Sequence, residues 1–399
     1  MLELDEALDR VTGSLAPLNS EEAPLHDLPR RILAEPLVAS LDLPVADNSS
    51  MDGYAVRADD LKGARPENPI PLQMLGVVPA GEVPQMTVLP GTCVRVFTGS
   101  FLPVGADAVL MQEETEADGD LVRCLDPVTP WENIRFRGED VKAGTRLLES
   151  GEWLRARHLG LIAATGRAQV RVSRRPRVGI LATGHELQEA GQALAPGAIF
   201  ESNRVVMAEL VRQVGGIPTV YPLVEDTMEA TTRALGQAID ENDAVVTTGG
   251  VSVGDYDLVR PAIETLGGRI EFWRVRLRPG KPFVFARFDE KPLFGLPGNP
   301  VSAVTTFMIM VRPGLLKLQG ARSLEAKVRW CRLKESVSNS GDRPHFFRVR
   351  IDEHEGLSSA GLQGSHALQS LSQADGWLRV DPKQTLDPGA LASIMVWDD

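Results

Sequence analysis

Cysteine is scarce in this 399-residue chain, and its three copies, Cys93, Cys124 and Cys331, lie far apart. Their odd number and wide spacing exclude a disulfide framework and a paired-cysteine zinc site, so we expect reduced, buried thiols. Histidine is also rare, with six copies and no His-Glu-x-x-His spacing. A transition-metal site built from cysteine and histidine is therefore not predicted.

An excess of positive charge is missing as well, since the formal net charge is −12 at pH 7. This balance argues against a dedicated nucleic-acid or anionic-membrane binder, so any anion must be held by a local site. No apolar run reaches membrane-spanning length, and the acidic start of the chain lacks the features of a signal peptide. We therefore predict a cytoplasmic protein that binds neither nucleic acid nor membrane.

Proline and glycine are abundant, with 28 and 37 copies. The length of the chain predicts several domains. The first 44 residues have a helical pattern, and helical signal returns at 156–165. Between them, short apolar runs are interrupted by proline and glycine, which favours β-structure. We predict a discontinuous helical or linker domain of residues 1–44 and 141–175, with a β-rich domain of residues 45–140 inserted.

Strand and helix patterns alternate between residues 176 and 321, which predicts a three-layer α/β/α domain with a mostly parallel sheet. The predicted strands are 177–182, 219–224, 244–248, 271–275, 283–288 and 292–296. The predicted helices are 202–214, 227–240, 257–267 and 300–312. Residues 322–399 return to short β-like runs and predict a small barrel or sandwich. The fold class is thus multidomain α/β plus β.

A glycine-rich loop follows the predicted strand 244–248 and contains Gly249, Gly250, Ser252 and Gly254. Glycines let the backbone approach a ligand closely and leave N–H groups to point at an anion, and the serine adds a hydroxyl. The carboxylate of Asp257, beside the next helix, suggests a metal ion accompanying the anion. A single loop of this kind is more often a structural turn.

Two further loops follow strands of the same predicted sheet, at 183–187 and 297–302. In the second, Asn299 is placed to cap a helix and Pro300 to occupy its first turn, which leaves N–H groups facing a ligand. All three loops are expected at one edge of the sheet, where ligands bind in this class of fold. A stiff turn at 278–282 carries two cations. For Asp226 and Asp257, helix capping and a favourable helix dipole are the simpler interpretations.

The combination of these motifs with others along the chain resembles one family, the molybdopterin molybdenumtransferases (MoeA), whose animal relative is the E domain of gephyrin. The resemblance includes the segment Met51-Asp52-Gly53-Tyr54 in the β-rich region. The matching segments are 47–56, 97–99, 133–135, 138–140, 183–187, 249–257, 279–282, 296–303 and 363–366. Together they span nearly the whole chain and are highly specific.

The resemblance implies that molybdopterin adenylate and molybdate react to give molybdenum cofactor and AMP, with Mg²⁺ required. It also implies a homodimer, in which Asp52 and Thr98 reach the active site of the partner subunit, and contacts with other proteins of cofactor biosynthesis. The implied catalytic residues are Asp52, Thr98, Glu186, Asp226, Asp257 and Lys281, of which Asp226 and Asp257 are the metal ligands. The implied substrate contacts are Gly249, Gly250, Ser252, Gly254, Arg278, Pro297, Gly298, Asn299, Ser302, Arg348 and Ser365.

Two positions depart from the family pattern. His185 stands where relatives commonly have aspartate, so the site loses a negative charge there. Arg278 stands where many relatives have lysine, which changes the geometry of a contact with an oxyanion. Alternative hypotheses are a tungsten-selective paralogue, a molybdopterin adenylyltransferase and a non-catalytic, gephyrin-like scaffold. The terminal β domain and the Met-Asp-Gly-Tyr segment argue against the adenylyltransferase. The intact charged residues argue against the scaffold.

Overall fold

The computed structural model describes residues 1–251 and 257–397, and these form two compact units. The first unit consists of residues 1–35, 150–156 and the chain from 169 onward. The second consists of residues 36–149 and 157–168, and so includes the β-rich segment predicted at 45–140. The finer division into four domains stays a prediction.

A six-stranded sheet lies at the centre of the first unit. In spatial order its strands are Ile217–Val220, Arg177–Ala182, Ala244–Thr248, Lys291–Leu296, Val284–Phe288 and Arg269–Trp273. The first four are parallel to one another, and Val284–Phe288 is antiparallel to both of its neighbours. The predicted, mostly parallel sheet is confirmed.

Helices cover both faces of this sheet, because its side chains alternate between two separate apolar clusters. Val246 and Phe294 belong to one cluster, while their neighbours Val245 and Leu293 belong to the other. The helices of the first unit are Leu4–Gly13, Asn203–Gln213, Met228–Glu241, Val259–Thr265, Pro300–Thr306, Arg312–Leu318 and Leu368–Ser372. The three-layer arrangement expected from the alternating pattern is therefore present.

The C-terminal part of the first unit is a closed five-stranded barrel. Its strands, in order around the barrel, are Val328–Leu333, Gly356–Ser359, His345–Ile351, Gly376–Val380 and Leu391–Val396. Inward side chains such as Leu333, Leu378 and Ile394 fill its interior. The barrel confirms the β domain predicted after residue 322.

The second unit is built on its own six-stranded sheet. The strand order is Ala108–Met111, Gly53–Val56, Thr92–Val96, Ile70–Val78, Leu121–Cys124 and Thr115–Asp118. Short two-stranded pairs complete both units: Ser20–Pro24 with Gln169–Ser173, Leu37–Val38 with Arg146–Leu148, Asn48–Ser49 with Ile134–Arg135, Leu187–Gln188 with Ile199–Phe200, and Val337–Ser338 with Thr385–Leu386. The helix Ala156–Ala164 lies where helical signal was expected, and 3-10 turns occur at Leu25–Asp27, Ala58–Leu61 and Gln112–Glu114.

The helical pattern assigned to residues 1–44 is wrong beyond the first helix, which ends at Gly13. Prolines interrupt the following stretch, and proline removes a backbone donor and clashes with the preceding helical turn. Residues Ser20–Pro24 instead pair antiparallel with Gln169–Ser173. The end of the predicted linker segment 141–175 is therefore partly a strand.

One helical stretch, Pro300–Leu318, has the length and apolar composition of a membrane span, but 94% of its most apolar window is buried within the protein. It runs through a π-helical segment, Phe307–Val311, and extends six residues beyond the predicted end at 312. Its side chains join the larger apolar cluster of the first unit. It is therefore a core helix.

Candidate active site

Three loops begin side by side at the carboxyl edge of the central sheet. The parallel register pairs Ala182 with Thr248 and Thr248 with Leu296, so the segments that follow these residues leave the sheet together. Thr183 remains attached to the edge, because its amide donates to the carbonyl of Thr248 at 3.2 Å. The predicted meeting of three strand-end loops is present in the structure.

Glycine is required where these loops cross. Gly249 has φ +86°, and a Cβ there would lie 2.4 Å from the carbonyl oxygen of Thr183. Gly250 also has a positive φ, of +63°, and a Cβ there would lie 2.9 Å from the Val259 side chain, whereas a Cβ at Gly298 would make only an ordinary contact of 3.7 Å with the Cα of Gly249. The backbone is thus packed tightly at this edge. Two residues predicted to bind substrate, Ser252 and Gly254, lie outside the described residues.

An acidic cluster lies at the first of the loops and consists of His185, Glu186 and Asp226. One ligand atom from each lies within 4.8 Å of the other two. Asp226 accepts hydrogen bonds from the hydroxyl of Thr183 and, at 2.8 Å, from the amide of His185. The His185 imidazole lies 3.4 Å from the Asp226 carboxylate and is 75% exposed. This cluster has the carboxylate oxygens and openness that a divalent cation needs.

This cluster contains Asp226 but not Asp257, the residue predicted as the second metal ligand. Asp257 lies two residues before the helix Val259–Thr265 and is partly buried. Within the described residues, the two ligand atoms that accompany Asp226 come from His185 and Glu186 instead. A shared role for the two aspartates stays a prediction.

The third loop is held from two sides. The carbonyl of Gly298 accepts a hydrogen bond from the side-chain amide of Asn203 at 2.8 Å. The amide of Val301, in the first turn of the following helix, donates to the carbonyl of Ser365 at 3.1 Å, in the segment after the barrel strand Gly356–Ser359. Pro297 and Ser302 are buried, whereas Gly298 is exposed.

Asn299 occupies the predicted N-cap position and Pro300 the first turn of the helix. The Asn299 side chain makes no capping hydrogen bond within the described part of the chain, although its carbonyl accepts from Ala303 at 2.9 Å. The side chain is exposed and so is available to a ligand.

The turn that carries two cations is paired with a barrel strand. The amide of Arg278 donates to the carbonyl of Pro344 at 3.0 Å, and its carbonyl accepts from the amide of Phe346 at 2.8 Å. Lys281, at the other end of the turn, has its carbonyl bonded to the amide of Val275 at 3.2 Å. Both cationic side chains are exposed. Arg278 therefore lies against the strand that also carries Arg348.

Arg348 is fully buried, with none of its surface exposed. Its guanidinium donates to the Ser370 hydroxyl at 2.9 Å and to the carbonyls of Leu362 and Gly364 at 2.7 and 3.0 Å. These acceptors are all neutral, and Nη1 has no hydrogen-bond partner among the described residues. Burial lowers the pKa of Arg348. A buried cation with an unused donor is a favourable contact for an incoming anion.

His345 lies on the same strand and is almost completely buried. Its burial, followed by repulsion from Arg278, Arg348 and Arg343, lowers the pKa of the imidazole to about 4. The ring is therefore neutral near pH 7. The surroundings of this strand are strongly cationic, in a protein whose net charge is negative.

Asp52 and Thr98 are brought together in the second unit. The amide and the hydroxyl of Thr98 both donate to one carboxylate oxygen of Asp52, at 2.7 and 3.0 Å. These hydrogen bonds lower the pKa of Asp52, so the group is a carboxylate at neutral pH. Both residues are exposed. Their contribution to an active site stays a prediction.

Three residues with structural roles in the site were not singled out from the sequence. Thr183 holds Asp226, Asn203 holds Gly298, and His345 lies between the cations. The position of Thr183 directly after a strand was the available signal. Asn203 begins a helix and resembles an ordinary helix-start residue, and an isolated histidine on a strand gives no signal at all.

Comparisons with known proteins cover nearly the whole chain. The MoeA N-terminal region (domain I and II) matches residues 2–166, the probable molybdopterin binding domain matches 179–317, and the MoeA C-terminal region (domain IV) matches 331–397.

Similar proteins agree with these regions. A molybdopterin molybdenumtransferase of Nostoc sp. is 39% identical over 349 residues, or 87% of this chain and 76% of that protein. Molybdopterin molybdenumtransferase 2 of Mycobacterium tuberculosis is 36% identical over 381 residues, or 94% of each chain. The crystal structure of the molybdopterin biosynthesis MoeA protein of Pyrococcus horikoshii OT3 is 30% identical, with a TM-score of 0.85 and 100% of both chains covered.

The fold and the site thus define a multidomain α/β protein with a molybdopterin-binding type of central domain. The chain belongs to the molybdopterin molybdenumtransferase (MoeA) family. It is a transferase with a role in molybdenum cofactor biosynthesis. The resemblance inferred from sequence motifs is confirmed.

Proposed function

We propose that the protein inserts molybdenum from molybdate into adenylylated molybdopterin and releases molybdenum cofactor and AMP. The observation that carries this proposal is the buried Arg348, whose guanidinium has neutral partners and an unused Nη1. Molybdate is a tetrahedral dianion, and it suits a pocket with fixed cations and N–H donors. The exposed side chains of Arg278 and Lys281 add two more cations from the adjoining turn.

The substrate's phosphates belong, in this proposal, at the sheet edge where the glycine loops cross. Gly249 and Gly250 hold the loop backbone tightly against Thr183 there, Gly298 is exposed, and Asn299 and Ser302 lie at the start of the core helix. Helix N-termini and exposed N–H groups favour phosphate. Ser252 and Gly254 are proposed to continue the same contact, and Pro297 and Ser365 to line the passage toward Arg348.

The carboxylates fit the Mg²⁺ that the family chemistry implies. Glu186 and Asp226 offer oxygen ligands, and Mg²⁺ typically completes its shell with water and substrate phosphate. When bound, the ion would neutralise charge on the phosphates. Asp226 is oriented for this role by Thr183 and the amide of His185, and Asp257 is proposed as a further ligand.

Catalysis in this proposal rests on positioning and charge neutralisation, without a covalent nucleophile on the protein. Lys281 is proposed to stabilise the leaving phosphate. Glu186 is proposed to offer an oxygen ligand to the metal ion. Asp52 and Thr98 are proposed to complete the site of the partner subunit in a homodimer. We also propose a cytoplasmic location and contacts with other proteins of cofactor biosynthesis.

The test is AMP release by purified protein supplied with molybdopterin adenylate, Mg²⁺ and molybdate. We expect AMP and molybdenum cofactor to form in equal amounts and to depend on molybdate. Tungstate in a parallel reaction tests the tungsten-selective alternative. Failure of the wild-type protein to release AMP under any of these conditions would contradict the proposed function and favour the scaffold.

The variant Asp257→Asn tests the metal assignment within the same assay. We expect AMP release to fall at least about 100-fold, because the removed carboxylate would hold the metal ion that neutralises the leaving phosphate. The matched control is Asp240→Asn, an exposed aspartate on the helix Met228–Glu241. Equal activity of Asp257→Asn and the control would show that Asp257 does not bind the metal.

A further inference from the structure

A second cationic pocket lies in the first unit, at the amino edge of the central sheet. It has a volume of about 410 Å³, and four arginines line it: Arg31, Arg174, Arg175 and Arg177. Arg177 begins the strand Arg177–Ala182, and the pocket residue Asp243 directly precedes the strand Ala244–Thr248. The candidate active site follows the opposite ends of these same strands, about 20 Å away at the usual rise per residue.

The nearby carboxylates are already paired with two of the arginines. Asp243 receives two hydrogen bonds of 2.8 Å from Arg174 and one of 2.8 Å from the amide of Arg177. Glu21 accepts from the Arg31 guanidinium, which also donates to the carbonyl of Ser173 at 2.9 Å. The acidic side chains of the pocket therefore hold part of the cationic wall in place.

Donor groups in the wall remain unused. Arg31 is 6% exposed, and its Nε is buried without a hydrogen-bond partner among the residues described. The Nε of Arg175 is likewise buried without a hydrogen-bond partner among these residues. Burial, and then repulsion by Arg31, lower the pKa of Arg175. Buried N–H groups without acceptors are unfavourable, and a nearby anion would relieve both the missing hydrogen bonds and the repulsion.

The third carboxylate of the pocket, Asp27, offsets only part of the repulsion on Arg175, whose pKa stays lowered. Its side chain is 60% exposed and lies 3.8 Å from the His26 imidazole. The pocket holds four arginines against three carboxylates, so its formal charge is positive in a protein that carries −12 overall. The pocket is therefore cationic where the molecule as a whole is anionic, which favours an anion at this position.

We propose that this pocket is a second anion site, specific for a phosphate group and separate from the active site. The planar guanidinium forks of Arg175 and Arg177 suit the bidentate recognition of phosphate oxygens. The volume is within the range of small-molecule sites, about 300–1,000 Å³, so it admits a phosphate monoester as well as inorganic phosphate. Ile217, which is 46% exposed at the rim, offers an apolar surface to the ester group.

The test is isothermal titration calorimetry of the full chain with inorganic phosphate and, separately, with AMP, at constant ionic strength. We expect wild-type protein to bind at least one of them with a dissociation constant below about 1 mM. The double variant Arg175→Gln/Arg177→Gln should weaken this binding at least about tenfold, because two charge-assisted contacts are removed. Only the binding that this double variant weakens is assigned to the pocket, because AMP is also the proposed product of the active site. For that binding, preference for AMP over phosphate identifies a monoester site, and the reverse identifies a phosphate site.

Three controls make the result decisive. Arg212→Gln/Arg233→Gln removes the same charge from exposed helix positions and should leave binding unchanged. Arg177→Glu alone, at an exposed position, repeats the test if the double variant unfolds. Arg348→Met alters the proposed active site and should leave this binding intact. Absence of binding to the wild type, or binding lost only in Arg348→Met, would overturn the proposal.

Discussion

Arg348 combines complete burial with an absence of negative partners among the described residues. Burying a guanidinium without a counter-charge destabilises a folded protein by several kcal/mol, unless hydrogen bonds compensate. Ser370 and two backbone carbonyls provide part of that compensation, and Nη1 is left over. The residue is therefore better suited to hold an anion than to stabilise the empty fold.

Replacement of Arg348 by methionine should separate these two effects. We expect AMP release to fall at least about 100-fold, because a charge-stabilising contact to molybdate is lost. The melting temperature should be unchanged or higher, since an apolar side chain of similar length replaces a buried charge. Arg350→Met, at an exposed position of the same strand, is the matched control and should leave both quantities unchanged.

His345 should give the stability of the protein a dependence on pH above the range where carboxylates titrate. Its pKa is lowered from 6.5 to about 4 in the folded protein, so the unfolded chain binds the proton more readily between these values. The contribution of the neutral His345 ring to stability is then fully present above pH 6.5, and it is lost as the pH falls from 6.5 toward 4. Between pH 7 and pH 5 the loss should be about 2 kcal/mol.

Urea unfolding at pH 5, 6 and 7 measures this effect. In His345→Gln the unfolding free energy should be almost independent of pH over the same interval. His354→Gln, at an exposed position in the same barrel, is the control and should keep the wild-type dependence. An identical pH profile in wild type and His345→Gln would contradict the neutral state of the buried ring.

The acidic cluster offers a test at His185, the one member that is not a carboxylate. In His185→Asp a third carboxylate joins Glu186 and Asp226, so the Mg²⁺ concentration for half-maximal activity should fall roughly tenfold. His185→Asn removes the imidazole without adding charge and should not show this gain. A titration of AMP release with Mg²⁺ decides between the two outcomes. Equal half-saturation in both variants would place the metal elsewhere.

At the residue scale, the sequence was sufficient to indicate that Arg278 and Lys281 share a stiff turn. It could not show that Arg348 is buried, because that depends on closure of a barrel whose strands are far apart in sequence. The sequence also could not show that Asp226 lies in a cluster with His185 and Glu186. Its hydrogen bonds to Thr183 and His185 join residues more than 40 positions apart.

At the element scale, the crossing of the first two loops depends on one glycine. Gly249→Ala introduces both a strained positive φ and a Cβ only 2.4 Å from the Thr183 carbonyl. We expect a loss of roughly 3 kcal/mol or more in unfolding free energy and a matching loss of activity.

Gly191→Ala is the matched control, because Gly191 has φ +91° but open space around its Cβ position. Strain alone should destabilise that variant by about 1 kcal/mol. Chemical unfolding of both variants separates the steric contribution from the backbone strain. Equal destabilisation of the two would mean that the loops at the sheet edge can move apart without loss.

Element boundaries were predictable where apolar runs are clearly bounded. The strands Arg177–Ala182 and Ala244–Thr248 match their predictions, since each is a continuous apolar run ending at a glycine loop. The strand predicted at 271–275 lies two residues earlier in the structure. Arg269–Trp273 ends before Arg274, whose φ of +70° is incompatible with continued extension, and nothing in its sequence signals that conformation.

At the scale of the whole molecule, the homodimer proposal makes a distinctive prediction. Asp52→Asn and Lys281→Ala should each be inactive alone, because each damages every site of its own dimer. Mixing the two after dissociation and reassociation should restore up to about a quarter of wild-type activity, since a mixed dimer with sites shared between subunits keeps one intact site. Sites formed within single chains would give no recovery, which AMP release after mixing would reveal.

The pairing of Arg278 with the barrel has a consequence for how the molecule can be divided. Its amide and carbonyl are both hydrogen-bonded to the barrel strand, at Pro344 and Phe346. A chain shortened before Val328 would keep the central sheet and its glycine loops, but it would lose Arg348 and leave the Arg278 backbone unpaired. In the proposed reaction, binding of the pterin phosphate and binding of the metal oxyanion would therefore depend on different stretches of the chain, and neither stretch alone would carry out the whole reaction.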